Sequence, residues 1–357
     1  QICTEHPLAG RIDTSTAFLF SQDPDLKDWV SRYKSENPEN RLIVTFGKTN
    51  LENSLRDPWN LINSIKSVLF ISNLFDYKLP LKSDRYFYGR ENIVATIFDN
   101  ARKNQNSGLF GLRKTGKTSV LFKAQRAMAK SGQIYTIFID CKVRQIRNLT
   151  CDDLAKKIIF MIENLFPVKS RKKIDNFDDI FECLGDRIRT IPANKKVCIF
   201  FDEIEYISPI SPTNVHWKSD FIDLWQCLWT IQSTCDKISY VVCGVNPSVC
   251  EIDRFPSPSI PERTIQNPMF SIFNTYYLTG LDYTNLKNMV NLFGSRMGMF
   301  FDNLSINYLF DQYGGHPLLI RLACSFHHEY FTAENRNRPI SINSEYLTQM
   351  KEEQMPN

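Results

Sequence analysis

The stretch Leu109-Phe110-Gly111-Leu112-Arg113-Lys114-Thr115-Gly116-Lys117-Thr118-Ser119 fits the pattern G-x-x-x-x-G-K-[ST], with Gly111 first and Thr118 last. Each fixed position has a chemical reason. Gly111 and Gly116 let the backbone close around a phosphate, where a Cβ would collide or forbid the φ angle. The N–H groups of the loop then converge on oxygens as a nest. A helix opening near Lys117 adds the partial positive charge of its N-terminus. Lys117 supplies a mobile charge for the β and γ oxygens, and the Thr118 hydroxyl is a magnesium ligand. The candidate nucleotide contacts are therefore Gly111, Lys114, Thr115, Gly116, Lys117, Thr118 and Ser119. The pattern also arises by chance, so it requires a strand before it, a helix after it and an acidic strand end downstream.

The flanking sequence meets that requirement. Ser107 to Phe110 reads as a short apolar strand, and Val120, Leu121, Ala124 and Met128 mark a helix ending near Ser131-Gly132. Ile134 to Asp140 is the next strand. A helix from about Thr150 to Phe166 follows, with Thr150 as N-cap and Asp152 and Asp153 in its first turn. A shorter helix runs from Phe177 to about Arg189. Lys196-Val197-Cys198-Ile199-Phe200-Phe201-Asp202-Glu203 is then a continuous apolar run ended by two acids. Such a run suits a strand buried on both faces of a parallel sheet, with the acids at the edge where ligands bind. Asp202 is the candidate holder of a magnesium shell. Glu203 is the candidate general base for an attacking water. The plain alternative is two ordinary strand-end acids, and the phosphate loop upstream favours the functional reading.

Phe221 to Ile231 reads as a core helix carrying Trp225, Leu228 and Trp229, and Ile238 to Cys243 as another apolar strand. Asn246, just past the strand expected between the two motif strands, has two readings. It holds the water or the γ-phosphate, or it is a turn residue before Pro247. Ser248 to Met269 carries prolines without periodicity and reads as a long loop. Thr275 to Leu281 is the last strand. Beyond it Asn285–Phe293, Ile306–Gln312 and Leu318–Tyr330 have helical apolar spacing, and Gly314-Gly315-His316-Pro317 opens the last of these. His316 has no second metal ligand nearby, and His327-His328 lack metal spacing. Arg254, Arg263, Arg296 and Arg321 are all candidates for an arginine finger, and each reads more simply as structural.

These elements predict an α/β fold: a P-loop NTPase parallel sheet of about five strands, followed by a helical lid domain and preceded by a truncated α/β unit. Residues 1–60, with strands at Ala17–Phe20 and Arg41–Phe46 around a helix at Asp25–Tyr33, read as the C-terminal part of an upstream α/β domain. Residues 61–85 are a linker helix and connector, the helix read as running from Asp57 to Phe75. Residues 86–282 form the P-loop core, 283–335 the lid, and 336–357 the start of a further unit of winged-helix type. The chain opens on Gln1 rather than Met, which suggests a piece of a longer or a processed protein.

Composition narrows the class. Hydrophobic residues make up 43% and charged residues 23% of the 357, as in ordinary globular chains rather than disordered ones. A net charge of +4 does not argue for nucleic acid, and the cluster Lys169-Ser170-Arg171-Lys172-Lys173 reads as a solvated loop. No two of the ten cysteines are spaced C-x-x-C, and Cys198 and Cys243 lie in apolar runs. Reduced, buried thiols in a cytoplasmic protein are expected, without a disulfide framework or zinc knuckle. No apolar run is long enough for a membrane helix, and no secretory signal opens the chain.

Phe87-Tyr88-Gly89-Arg90-Glu91, Gly111 to Thr118, Phe201-Asp202-Glu203 and Gly314-Gly315-His316-Pro317 occur in the order found in STAND-type ATPases. These are an AAA-like group close to the archaeal ATPases, and the resemblance covers roughly residues 85–330. It implies ATP and Mg2+ as cofactors, with Tyr88, Gly89 and Arg90 bordering the base and His316 and Pro317 approaching it from the lid. It further implies a slowly hydrolysing multidomain switch that forms a homo-oligomer on activation by an unidentified trigger protein or ligand. Bacterial members often serve in defence against phage. One departure stands out: such proteins often carry an Arg after the fourth strand, where this chain has Cys243-Gly244-Val245-Asn246. A nucleic-acid-dependent AAA-like ATPase, such as a loader or mobile-element ATPase, is the alternative. A scaffold that binds nucleotide without hydrolysis is a third reading.

Overall fold

A computed structural model describes residues 16–36, 42–167, 179–257 and 262–354. Cys3, the basic cluster at 169–173, the expected helix start at Phe177 and the residues after Gln354 lie outside the described residues. The chain divides into two units, one formed by Gln1–Gly89 with Gly280–Asn357 and the other by Arg90–Thr279.

The first unit opens with strand β1 (Thr16–Phe20), helix α1 (Leu26–Glu36) and strand β2 (Leu42–Phe46). The two strands pair in parallel from Thr16↔Leu42 to Phe20↔Phe46. β2 alternates between buried and half-buried residues, as a strand covered on one face should. Helix α2 (Lys48–Arg56) and helix α3 (Pro58–Ile71) follow. Asp57 caps α3 by accepting the Trp59 N–H at 3.0 Å, with Pro58 in the first helical position. The sequence suggested one helix from Asp57 to Phe75. The structure ends it at Ile71 and adds α2, a short polar helix whose only apolar residues are Leu51 and Leu55, too few for an apolar stripe to read.

The second unit runs through helix α4 (Glu91–Arg102), β3 (Asn106–Phe110), α5 (Lys117–Ser131), β4 (Ile134–Asp140), α6 (Arg144–Arg147), α7 (Cys151–Leu165) and α8 (Ile180–Arg189). It continues with β5 (Lys196–Asp202), a 3₁₀ turn at Ile204–Ile207, α9 (Trp217–Thr234), β6 (Ile238–Gly244), α10 (Ser248–Glu251), β7 (Arg254–Pro256), β8 (Thr264–Gln266) and β9 (Phe273–Tyr277). Five strands form one parallel sheet in the order β4-β5-β6-β3-β9. Every residue of β3 and β6 is buried, and so is nearly all of β5. That explains the near-continuous apolar runs of these strands, since a parallel sheet is covered on both faces. β6 lies between β5 and β3, where the sequence reading required it.

Thr150 caps α7 by accepting the Asp153 N–H at 3.2 Å, as expected. The long-loop reading of Ser248–Met269 is corrected: this segment holds α10 and an antiparallel hairpin of β7 and β8. Strands of three residues are too short to show an alternating pattern. Asn267 secures the hairpin's exit by donating to the Val249 and Ile252 carbonyls at 2.9 and 2.8 Å.

The first unit then resumes with α11 (Tyr283–Arg296), β10 (Met299–Phe301), α12 (Asn303–Tyr313), α13 (Pro317–Ala333), β11 (Ile340–Ile342) and α14 (Ser344–Gln354). β11 pairs in parallel with β10, and Leu347 of α14 enters the same core as α11 and α12. Edge-on aromatic contacts organise that core, Phe293 lying 5.5 Å from both Phe75 and Tyr86. The Arg321 guanidinium is buried there and donates to the Leu74 and Phe75 carbonyls, both at 3.1 Å. Among the described residues no helix is long and apolar enough to cross a membrane.

The sheet's main core centres on Trp225 of α9, whose ring lies 5.3 Å from Phe201, 5.6 Å from Tyr240 and 5.4 Å from Phe273. Trp225→Ala is expected to lower unfolding stability by about 3–5 kcal/mol, and Trp225→Phe by less than about 1.5 kcal/mol. Urea titration followed by far-UV circular dichroism checks both.

Candidate nucleotide-binding site

β3 delivers the phosphate loop to the C-terminal edge of the sheet, beside the ends of β6 and β5. The loop starts under close confinement. A Cβ on Gly111 would stand 2.5 Å from the Leu278 carbonyl oxygen, and the Leu278 N–H itself donates to the Phe110 carbonyl at 2.6 Å. Lys114 and Gly116 adopt the left-handed conformation, at φ 62° and 95°. Such residues turn successive N–H groups toward one centre. Thr115 is buried and closes the loop on itself through a 2.8 Å bond to the Leu112 carbonyl. Ser119 is buried in the first turn of α5. Lys117, only 6% exposed, donates to the carbonyls of Gly111 and Leu112, each at 2.9 Å. Its ammonium thus lies against the loop rather than in solvent.

Thr118 joins the two motifs. Its hydroxyl donates to Asp202 Oδ2 at 2.8 Å, while Asp202 Oδ1 accepts the Glu203 N–H at 3.1 Å. Asp202 is 5% exposed. Burial pushes its carboxyl up to about 6, against the opposing hydrogen bonds from Thr118 and the Cys243 thiol. The Cys243 thiol is in turn pushed well above its ordinary range, first by burial and then by the Asp202 charge. A hydroxyl and a carboxylate are hard oxygen donors, and a buried acid with a raised pKa is favoured in its charged form by a nearby cation. The pair therefore fits a magnesium ion that keeps most of its waters. Glu203 is half-buried with φ 53°, a left-handed conformation that turns the chain from β5 into the 3₁₀ turn.

Arg90, at φ 68°, precedes α4, and its guanidinium donates to the Thr115 carbonyl and, at 2.8 Å, to the Thr279 carbonyl. Burial lowers its pKa to about 10. The loop thus rests on a half-buried cation that binds main chain. Asn246 is exposed, and its Oδ1 accepts the Ser248 N–H at 2.9 Å, closing a turn just before the short α10. Arg254 and Arg263 belong to the β7–β8 hairpin, where the Arg263 carbonyl accepts the Ser257 N–H at 2.8 Å.

Tyr88, His316 and Pro317 belong to the first unit. The Tyr88 hydroxyl is buried without a hydrogen-bond partner, its ring 5.6 Å from Phe293, and burial pushes its pKa up to about 12. His316 caps α13, its Nδ1 accepting the Leu319 N–H at 3.4 Å. Gly314 and Gly315, both at positive φ, form the preceding turn, and the Gly315 carbonyl accepts the Leu281 N–H at 2.8 Å.

The sequence reading missed Glu205. Its Oε1 accepts the N–H of Val245 and, at 3.1 Å, of Asn246. The available signal was a further acid two residues after Glu203, paired with a glycine at the end of β6.

No protein-family model and no curated protein matches the chain. Among solved structures, a Walker-type ATPase of Pyrococcus abyssi superposes with a TM-score of 0.50 at 15% identity, covering 73% of this chain and 72% of that one. The RuvB of Thermotoga maritima gives 0.45 at 14% identity over 77% and 73% of the two chains. The ORC2 protein of Aeropyrum pernix gives 0.45 at 14% over 78% and 70%. This chain has the P-loop NTPase fold. Its five-stranded parallel sheet with the phosphate loop after β3 carries that assignment, and the archaeal ATPase shares the architecture.

Gly111→Ala forces a methyl group onto the Leu278 carbonyl. It is expected to weaken nucleotide binding by at least about 10-fold, because the loop must move, while far-UV circular dichroism stays unchanged. Titration with a fluorescent ATP analogue checks this.

Proposed function

We propose that the chain is an ATP-binding, slowly ATP-hydrolysing switch of the STAND type. The 2.8 Å bond between Thr118 and Asp202 carries the reading, because it brings the two halves of a nucleotide-hydrolysis motif onto one sheet edge. The main chain and side chains of Gly111, Lys114, Thr115, Gly116, Lys117, Thr118 and Ser119 hold the triphosphate. Lys117 exchanges its bonds to the neutral Gly111 and Leu112 carbonyls for stronger ones to negatively charged phosphate oxygens. Thr118 and Asp202 hold Mg2+, which neutralises charge on the β and γ oxygens when bound. Glu203 orients the attacking water and takes its proton. Asn246 stands at the exposed mouth of this edge and is the candidate contact to that water or to the γ-phosphate.

Slow turnover follows from the turn after β6. An arginine at the γ-phosphate is worth about 10³–10⁵ in rate, and Gly244-Val245-Asn246 supplies none. Switching is supported by Arg90, which ties the phosphate loop to Thr279, the last residue of the second unit. A change in the loop therefore reaches the point where the chain leaves that unit. Roles for Tyr88, Arg90, His316 and Pro317 toward the base rest on the resemblance of their motifs to those of STAND-type ATPases. Cytoplasmic location rests on the scattered, unpaired cysteines, while homo-oligomerisation on activation, an upstream effector and a part in anti-phage defence rest on the resemblance of the four motifs to STAND-type ATPases. The division into a core at 86–282, a lid at 283–335 and further units on either side rests on the element pattern and apolar spacing along the sequence.

Lys117→Ala is expected to abolish binding of a fluorescent ATP analogue. Glu203→Gln should bind as the unaltered chain does and hydrolyse at least about 10²-fold more slowly, the scale of general-base catalysis. Phosphate release in a single turnover, measured with and without DNA, tests the reading. Unchanged turnover in Glu203→Gln removes the assignment of the base. Strongly salt-dependent, DNA-stimulated turnover favours a nucleic-acid-dependent ATPase instead.

A further inference from the structure

We propose that Glu205 is a positioning residue for the candidate general base, clamping the turn that carries Glu203 to the turn that follows β6; this rests on the ATPase reading above. Glu203 has a left-handed backbone at φ 53°. A side chain with a Cβ adopts that conformation only where the surrounding chain enforces it. The enforcing contact comes two residues later. Glu205 Oε1 accepts two N–H groups in succession, those of Val245 and Asn246. The 3₁₀ turn that follows Glu203 and contains Glu205 is anchored from within as well. The Tyr206 N–H donates to the Glu203 carbonyl at 3.1 Å, the Ser208 hydroxyl donates to the Glu205 carbonyl at 2.9 Å, and Ile204 and Ile207 are fully buried.

Gly244 is part of the same device. A Cβ there would stand 2.6 Å from Glu205 Oε2, so only glycine lets the carboxylate seat itself on the turn. Glu205 Oε2 is buried without a hydrogen-bond partner, which leaves Oε1 as the atom that performs the clamping. The strand order makes the location significant, because β6 separates β5 from β3. The clamped turn is therefore the neighbour of both the acid pair and the strand that feeds the phosphate loop. The turn after this strand carries no arginine, and its backbone is held by a carboxylate from the 3₁₀ turn that follows β5.

The test uses the full chain and three variants, Glu205→Ala, Glu205→Gln and Gly244→Ala. Three readouts are taken: affinity for a fluorescent ATP analogue, single-turnover ATP hydrolysis, and hydrogen–deuterium exchange at residues 244–248 without nucleotide. Glu205→Ala is expected to exchange faster at Val245 and Asn246 and to keep its affinity within about 3-fold, while hydrolysis falls on the order of 10²-fold, the scale of a misplaced reacting group. Glu205→Gln keeps an acceptor oxygen and restores most of the rate. Gly244→Ala displaces the carboxylate without deleting it and reproduces the Glu205→Ala pattern. Unchanged exchange in Glu205→Ala, a parallel loss of affinity and rate, or a Gln variant as slow as the Ala variant overturns the proposal. An unaltered chain with no turnover removes the ATPase reading and this clamp with it. Normal turnover in Glu205→Ala overturns the clamp alone.

Discussion

A hydrogen bond of 2.8 Å between the Thr118 hydroxyl and the Asp202 carboxylate holds together the two motifs on which the proposed function rests. It is available because β3 and β5 run parallel with only β6 between them, so the loop leaving one and the acid ending the other emerge at the same edge. The apolar burial of β3, β5 and β6 serves that convergence. A sheet covered on both faces fixes strand ends to within the tolerance of a hydrogen bond, which a loop alone does not. The electrostatic consequence is a carboxyl raised to about 6 by burial, in a place where a cation is the natural counterweight.

Around that bond, charged side chains spend themselves on main chain. Lys117 binds the Gly111 and Leu112 carbonyls, Arg90 those of Thr115 and Thr279, and Glu205 the N–H groups of Val245 and Asn246. Each contact holds a turn rather than a helix or strand. Turns are where backbone hydrogen bonding is incomplete, and a charge satisfied by main chain keeps them in one shape. Arg321 does the same for the Leu74 and Phe75 carbonyls in the other unit, so it serves there as a brace. A site built this way is arranged before any ligand arrives, which lowers the ordering cost of binding.

The sheet was legible because its signals are strong and local. Val197 to Phe201 can hardly be anything other than a doubly covered strand, and Thr150 with two following acids announces a helix start. The phosphate loop and the acid pair were legible from residue type alone. What escaped was short or polar: α2 has two apolar residues in nine, and β7, β8, β10 and β11 have three residues each. Glu205 escaped for a different reason. Its role depends on which turn lies beside it, and strand order is a property of the folded sheet rather than of neighbouring residues. The same holds for Arg90, whose partners Thr115 and Thr279 are separated from it by 25 and 189 positions.

The central claim is that the phosphate loop and the β5 acids form a single Mg-dependent ATP site. Calorimetric titration of the unaltered chain with ATP, run in Mg2+ and again in EDTA with the nucleotide recovered afterwards, tests it most directly. One ATP bound per chain, tighter in Mg2+ than in EDTA and converted slowly to ADP only with the metal, is the result this structure predicts. Absence of binding, or equal binding in both buffers with ATP recovered intact, would contradict it.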